Sequence, residues 1–229
     1  MEIRDHRLVG KEFIPTSKMS GFIVPRAIVL HYTAGWTTQG DVDTLAKSDR
    51  KASAHTVVGR DGETIQIVPF NRKAWHAGPS QWPLDVEDPV YTDLNAHSIG
   101  IEISNAGWIK RLSNGNYQDQ YGQEIAGSGR FVHQNRATHS PPNKWHEEFH
   151  PRLARGTYVW EPFYEEQLLA VDEQVAALLR TYSTIEHILT HEEIDTRGWK
   201  TDPGPMMPLR RYTKLTESRA DDGDEPSDE

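Results

Sequence analysis

Ala27-Ile28-Val29-Leu30 is an unbroken apolar run, with Pro25 before it and His31 and Gly35 after it. A run that short, bounded by breakers and with no polar face to offer water, reads as a strand inside the core. Ser98 to Ile103 adds a second strand of a different kind. Its residues alternate, so that Ile99, Ile101 and Ile103 point one way and Gly100 and Glu102 the other. Phe163 to Tyr182 changes period: apolar side chains at 168, 171, 175, 178, 179 and 182 share one helical face, and Pro162 suits the helix start.

Shorter signals fill in the order. Thr38 can cap a helix carrying Val42, Leu45 and Ala46. Ala54 to Val58 and Thr64 to Val68 flank Gly59-Arg60-Asp61-Gly62, whose Asp-Gly pair predicts a hairpin turn. Ile185 to Thr190 reads as a last strand leading to His191. Strands and helices therefore mix along the chain, and the expected fold class is α/β, a central mixed β-sheet flanked by helices. Between Trp108 and Trp160 the patterning gives way to Gly, Asn, Ser, Pro and His. That stretch, about 109–160, is expected to be an irregular insertion of functional purpose in a single domain over 1–212.

The 229 residues carry a net charge of -9, but from Glu217 onward seven acids stand against one Arg219. The tail, 213–229, thus holds most of the charge and almost nothing apolar, which predicts disorder. The body is only mildly acidic and has no basic stripe, so nucleic acid is not an expected partner. No run approaches the roughly 18 apolar residues of a membrane span. Met1 to His6 has no apolar core of a signal peptide, so a cytoplasmic location as synthesised is expected, with delivery to the wall by other machinery left open. A monomer is expected. Cysteine is absent, which excludes disulfides and thiolate nucleophiles and leaves His, Asp and Glu as the metal donors.

Three such donors stand out by position. His31 and His191 end the first and last buried strands, where α/β folds tend to place their sites. Asp202 precedes Pro203, which favours an extended conformation, and Gly204, which permits a turn. Two imidazoles and a carboxylate suit Zn²⁺ with a fourth position open. Spacing alone leaves each histidine open between ligand and packed core residue.

Longer motifs bear on that choice. Val68-Pro69-Phe70-Asn71-Arg72-Lys73-Ala74-Trp75-His76-Ala77-Gly78, Ser98-Ile99-Gly100-Ile101-Glu102 and Lys200-Thr201-Asp202-Pro203-Gly204-Pro205 resemble the signatures of the type 2 N-acetylmuramoyl-L-alanine amidases. Among these the chain is most similar to the anhydro-muropeptide amidases of cell-wall recycling, and less so to phage amidases and peptidoglycan-recognition proteins. The resemblance implies hydrolysis of the amide between N-acetylmuramic acid and L-alanine in peptidoglycan or muropeptides. It implies Zn²⁺ held by His31, His191 and Asp202, Glu102 as the base that activates the attacking water, and Lys200 as the stabiliser of the oxyanion. Trp75 and His76 are expected to contact substrate. One departure is plain: Ala54 precedes His55 where phage-type members often carry a catalytic tyrosine, which makes His55 a core or supporting histidine.

Two alternatives remain at this level. One is a peptidoglycan-binding module of the same fold without activity, disfavoured because all three ligand candidates are present. The other is a zinc metalloprotease using His146, Glu147 and His150, since His146-Glu147-Glu148-Phe149-His150 fits H-E-x-x-H. That motif needs a helix. Pro141 and Pro142 before it and Pro151 after it leave about two turns, too few to stand unaided. His187, four residues before His191, competes as a ligand only if Ile185 to Thr190 is helical.

Overall fold

In a computed structural model, residues 1–83, 87, 89–126 and 145–212 are described. The acidic tail, 213–229, and the prolines 141 and 142 lie outside these residues.

The central sheet is built from β1 (Glu12–Phe13), β2 (Ala27–Tyr32), β3 (Thr56–Val58), β4 (Thr64–Gln66), β5 (Ser98–Ile103) and β11 (His187–Thr190). Their order across the sheet is β11-β2-β5-β3-β4-β1. Only β3 and β4 run antiparallel, through the Gly59 to Gly62 hairpin, and every other pair is parallel. This is the expected mixed sheet. The apolar run sits on β2, with strand partners on both sides and all six residues buried.

Period-two alternation gives the sheet two unlike faces. Ile28 and Leu30 of β2 and Ile99, Ile101 and Ile103 of β5 form one face. Against it packs α2 (Glu165–Thr181), through Leu168, Val171, Val175, Leu178 and Leu179. Each of these side chains removed from water contributes on the order of 1.5–3 kcal/mol. Glu165 and Glu166 in the first turn and Arg180 in the last suit the helix dipole. On the other face, α1 (Thr38–Ala46) lays Val42, Leu45 and Ala46 against Val57 and Ile65. Thr37, one residue earlier than expected, caps α1 by accepting the Gly40 N–H. Ala27 and Val29 meet Ala77, Leu94 and Leu189 on that same face.

The structure differs from expectation between Trp108 and Trp160. Its described residues form a second, antiparallel sheet of five strands: β6 (Trp108–Arg111), β7 (Tyr117–Gln118), β8 (Glu124–Ile125), β9 (His146–Glu147) and β10 (Tyr158–Trp160). Strands of two to four residues are too short for alternation to show in sequence, and Trp108 pairs with a residue as distant as Trp160. Ile109, Tyr117, Trp145 and Val159 give this sheet a small core of its own. It is fastened to the central sheet by a buried pair. Arg60 of the hairpin grips Glu161, Nε to Oε1 and Nη2 to Oε2, each at 2.8 Å. Among the described residues no helix is long and apolar enough to cross a membrane.

Candidate metal centre

The sheet register places the first site residues. Glu102 lies directly opposite His31 on the adjacent strand, on the face away from the isoleucines. His191 follows β11 as the first residue of α3 (His191–Ile194), a turn capped by Thr190 and Glu193. Asp202 arrives on the next loop, where the Glu192 N–H donates to its carbonyl at 3.1 Å.

These three donors converge. His31 Nδ1 is 2.9 Å from His191 Nδ1 and 3.0 Å from Asp202 Oδ2, and His191 Nδ1 is 2.8 Å from the same oxygen. All three residues are buried. Burial pushes the Asp202 carboxyl up, but His191 and His31 together outweigh it and hold the group well below the usual range. Burial, and next the neighbouring His191, lowers His31 to about 4, so its ring is neutral near pH 7.

Hydrogen-bond directions decide what this cluster lacks. The Ser98 hydroxyl donates to the Leu94 carbonyl at 2.5 Å, so Ser98 Oγ can accept from His76 Nε2–H at 3.4 Å. His76 Nδ1 then accepts from His31 Nε2–H at 3.0 Å. On the other side, His191 Nε2–H donates to the Ala77 carbonyl at 3.2 Å. With both rings neutral, this leaves both Nδ1 atoms as lone pairs facing a buried carboxylate. Among the described residues Asp202 has ion-pair partners only in these two histidines. Three such groups converged away from water suit a bound cation. The donor set fits a divalent metal with nitrogen and oxygen ligands.

His76 lines the cleft and also stands behind His31. Both of its ring nitrogens are engaged by the protein, and it packs edge-on against His31 with centroids 5.1 Å apart. Gly100 makes room for it, because a Cβ there would collide with the His76 ring. An isolated glycine in a strand is a sign of such close approach, a signal that the sequence reading passed over. His55 is a core histidine, fully buried, donating to the Arg72 carbonyl and accepting the Gly100 N–H. Burial lowers it to about 4.

His191 and Asp202 of this cluster line a cleft of about 930 Å³, together with Glu102, Lys200, Trp75, Trp36 and Trp199. Glu102 Oε2 is buried without a hydrogen-bond partner. Burial, then the charge of Asp202, holds its carboxyl well above the usual range, with Lys200 opposing. A second buried acid, Asp41 of α1, also lines the cleft and had no sequence signal. It accepts from Thr33 Oγ1 at 2.9 Å and Ser104 Oγ at 2.6 Å.

The H-E-x-x-H stretch is not helical. His146 and Glu147 are an exposed strand, and His150 is turned to Glu192 at 3.1 Å. His187 lies on β11, as the strand reading requires, with its ring near Trp82. Neither joins the cluster of three, the one metal-competent group among the described residues.

Comparison with known proteins gives a consistent result. A family model described as N-acetylmuramoyl-L-alanine amidase matches residues 22–205. Over 82 residues the chain is 36% identical to the 1,6-anhydro-N-acetylmuramyl-L-alanine amidase AmpD of Escherichia coli K12, covering 36% of this chain and 38% of that protein. Over 196 residues it is 35% identical to the N-acetylmuramoyl-L-alanine amidase AmiD of the same organism, covering 82% of this chain and 52% of that one. These alignments thus span about two fifths to one half of the relatives' length. In structure the chain is similar to a selenomethionine derivative of AmpD (TM-score 0.59, 20% identity, 94% of this chain and 99% of that one). It is also similar to AmiD from E. coli in complex with anhydro-N-acetylmuramic acid-L-Ala-D-gamma-Glu-L-Lys (TM-score 0.54, 24% identity, 85% and 58%). At these identities the structures establish a common fold.

Proposed function

The chain belongs to the N-acetylmuramoyl-L-alanine amidase family, and from that premise we propose that it is a zinc-dependent amidase acting on peptidoglycan or its muropeptide fragments. The bond cut is the amide between the lactyl group of N-acetylmuramic acid and L-alanine, and the amidase domain extends over 1–212. The observation that carries this reading is the convergence of His31, His191 and Asp202 at a cleft lined by His191, Asp202, Glu102 and Lys200. The other two readings lack such support: the three ligand types are complete, which disfavours a binding module, and His146 and Glu147 are extended.

Each residue has a role that its surroundings suit. His31, His191 and Asp202 hold the ion, with His76 and Ala77 fixing the outward nitrogens of the two rings. Bound there, Zn²⁺ supplies Lewis acidity toward water and the scissile carbonyl at neutral pH. Glu102 takes the proton from the attacking water and passes it to the leaving amine. Its unpartnered buried oxygen, facing the cleft, is free for that exchange. Lys200 donates to the negative charge that develops on the carbonyl oxygen. Trp75 lines the cleft and offers an aromatic face to the substrate.

The test is mass spectrometry of products from intact sacculi and from soluble anhydro-muropeptides, with zinc-loaded and chelator-treated protein. Release of free peptides beginning with L-alanine, lost on chelation and regained with zinc, is the expected result. Cleavage at any other bond, or no cleavage of either substrate by the loaded protein, overturns the reading.

A further inference from the structure

The second sheet leaves one basic side chain against the metal-bearing loop. Arg152 follows β9 by five residues, on the limb that returns to β10, and is largely buried. Its Nη1 donates to the Lys200 carbonyl at 2.9 Å and lies 3.8 Å from Asp195 Oδ2, while its Nε lies 3.6 Å from Glu192 Oε1. One guanidinium thus reaches three points on the segment joining His191 to Asp202.

The same segment is pinned from its own side. Asp195 is fully buried and accepts the N–H groups of Trp199 at 2.9 Å and Lys200 at 3.0 Å. The peptide units on both sides of Lys200 are therefore held, one by Asp195 and the other by Arg152. Neighbouring contacts reinforce the arrangement. His150 Nδ1 accepts the Arg152 N–H at 3.2 Å, which puts its proton on Nε2 for donation to Glu192 at 3.1 Å. Trp160 of β10 packs so closely on Gly204 that a Cβ there would lie 2.6 Å from the ring. His150, the last residue of the protease-like motif, thus helps fasten this limb to Glu192.

We infer that Arg152 is a positioning residue: it locks the Trp199 to Asp202 loop to the inserted sheet so that Lys200 and Asp202 face the cleft together. One main-chain carbonyl and two carboxylates are met by one planar guanidinium, a geometry that a flexible solvated arginine would not keep. The inserted sheet then supports the centre as well as walling the cleft. The activity arm of the test rests on the amidase reading, whereas the metal-release arm does not.

The test compares the wild type with Arg152→Ala, Arg152→Lys and, as a control on the same limb, the exposed Arg155→Ala. Zinc release to an excess of chromogenic chelator, melting temperature, kcat and KM are measured on full-length zinc-loaded protein. Arg152→Ala is expected to bind zinc fully at saturation. It should release zinc about 10–100-fold faster, as loss of a group that supports a ligand does elsewhere, and lose about tenfold in kcat with KM little changed. Arg152→Lys should recover part of both losses, and Arg155→Ala should match the wild type. If Arg152→Ala does not fold, Arg152→Gln replaces it, since it keeps an amide donor but no charge, and faster release is again expected. Wild-type release and kcat in a folded Arg152 variant overturn the inference, as does an equal loss in Arg155→Ala. A wild-type protein inactive on muropeptides defeats the amidase reading instead, and the release rates still decide the role of Arg152.

Discussion

Glu102 and His31 are register partners on adjacent parallel strands, so the carboxylate and the imidazole rise side by side from one sheet face. A sheet holds such a pair more rigidly than loops do; Glu102 lines the cleft, and His31 lies 3.0 Å from Asp202. In the proposed amidase, His31 would hold the ion and Glu102 would move the proton.

Glu102→Gln separates the two. The variant keeps size and polarity, so zinc content by atomic absorption should match the wild type. Turnover of a defined muropeptide should fall by about 10²–10⁴, the usual worth of general-base assistance. Near-normal turnover would assign proton transfer to another group.

Gly100→Ala probes the ring behind His31. The added methyl collides with His76, and overpacking of this kind costs about 1–3 kcal/mol. Urea unfolding should show that loss, and zinc affinity should drop by about 10–100-fold as the support of His31 shifts. In a His76→Ala background the same substitution should cost much less, because the collision is gone. Equal costs in both backgrounds would mean that His76 is not the obstacle.

Asp41 links stability to pH. Burial, the largest influence, raises its pKa from 3.8 to about 6 against hydrogen bonds from Ser104 and Thr33. The folded protein therefore binds this proton more tightly than the unfolded chain, and Asp41 lowers stability as pH rises from 3.8 to about 6. Above that window the cost is constant, at most about 3 kcal/mol for a shift of this size. Asp41→Asn should gain on the wild type across the window and hold its gain at higher pH, read from urea midpoints in matched buffers. A stability difference that does not vary with pH refutes the linkage.

Arg60→Ala tests the tie between the sheets. Glu161 is left with a buried charge (1% exposed) that keeps the Ala106 N–H as a donor. Breaking such a pair from one side costs about 3–5 kcal/mol. The double variant Arg60→Met with Glu161→Leu should recover most of that loss. If the double variant unfolds as easily as the single one, the cost lies in the Gly35 and Trp36 carbonyls that Arg60 also serves.

Much of the central sheet was legible because its signals are local. Ser98 to Ile103 alternates along its whole length, the Asp61-Gly62 turn closes its hairpin, and α2 carries a full apolar stripe. The second sheet was not legible. Tyr117–Gln118 and Glu124–Ile125 are too brief to display a period, and β6 finds its partner in β10 across an intervening span of dozens of residues.

The sequence by itself determined the candidates of the centre: His31 after its apolar run, Glu102 on the polar side of an alternating strand, and Lys200 and Asp202 in their long motif. It also ruled out a thiolate site, since cysteine is absent, and made a helical H-E-x-x-H improbable through its prolines. Only the tertiary structure decided that His31, 160 residues from His191, meets it at 2.9 Å. It alone put His76 behind His31, with His76 Nδ1 at 3.0 Å from His31 Nε2, and brought Arg152 to the Lys200 carbonyl. The physical reason is range. Periodicity and turn chemistry act over a few residues, whereas the direction of a hydrogen bond and the pairing of a buried charge depend on groups that the folded chain brings together from afar.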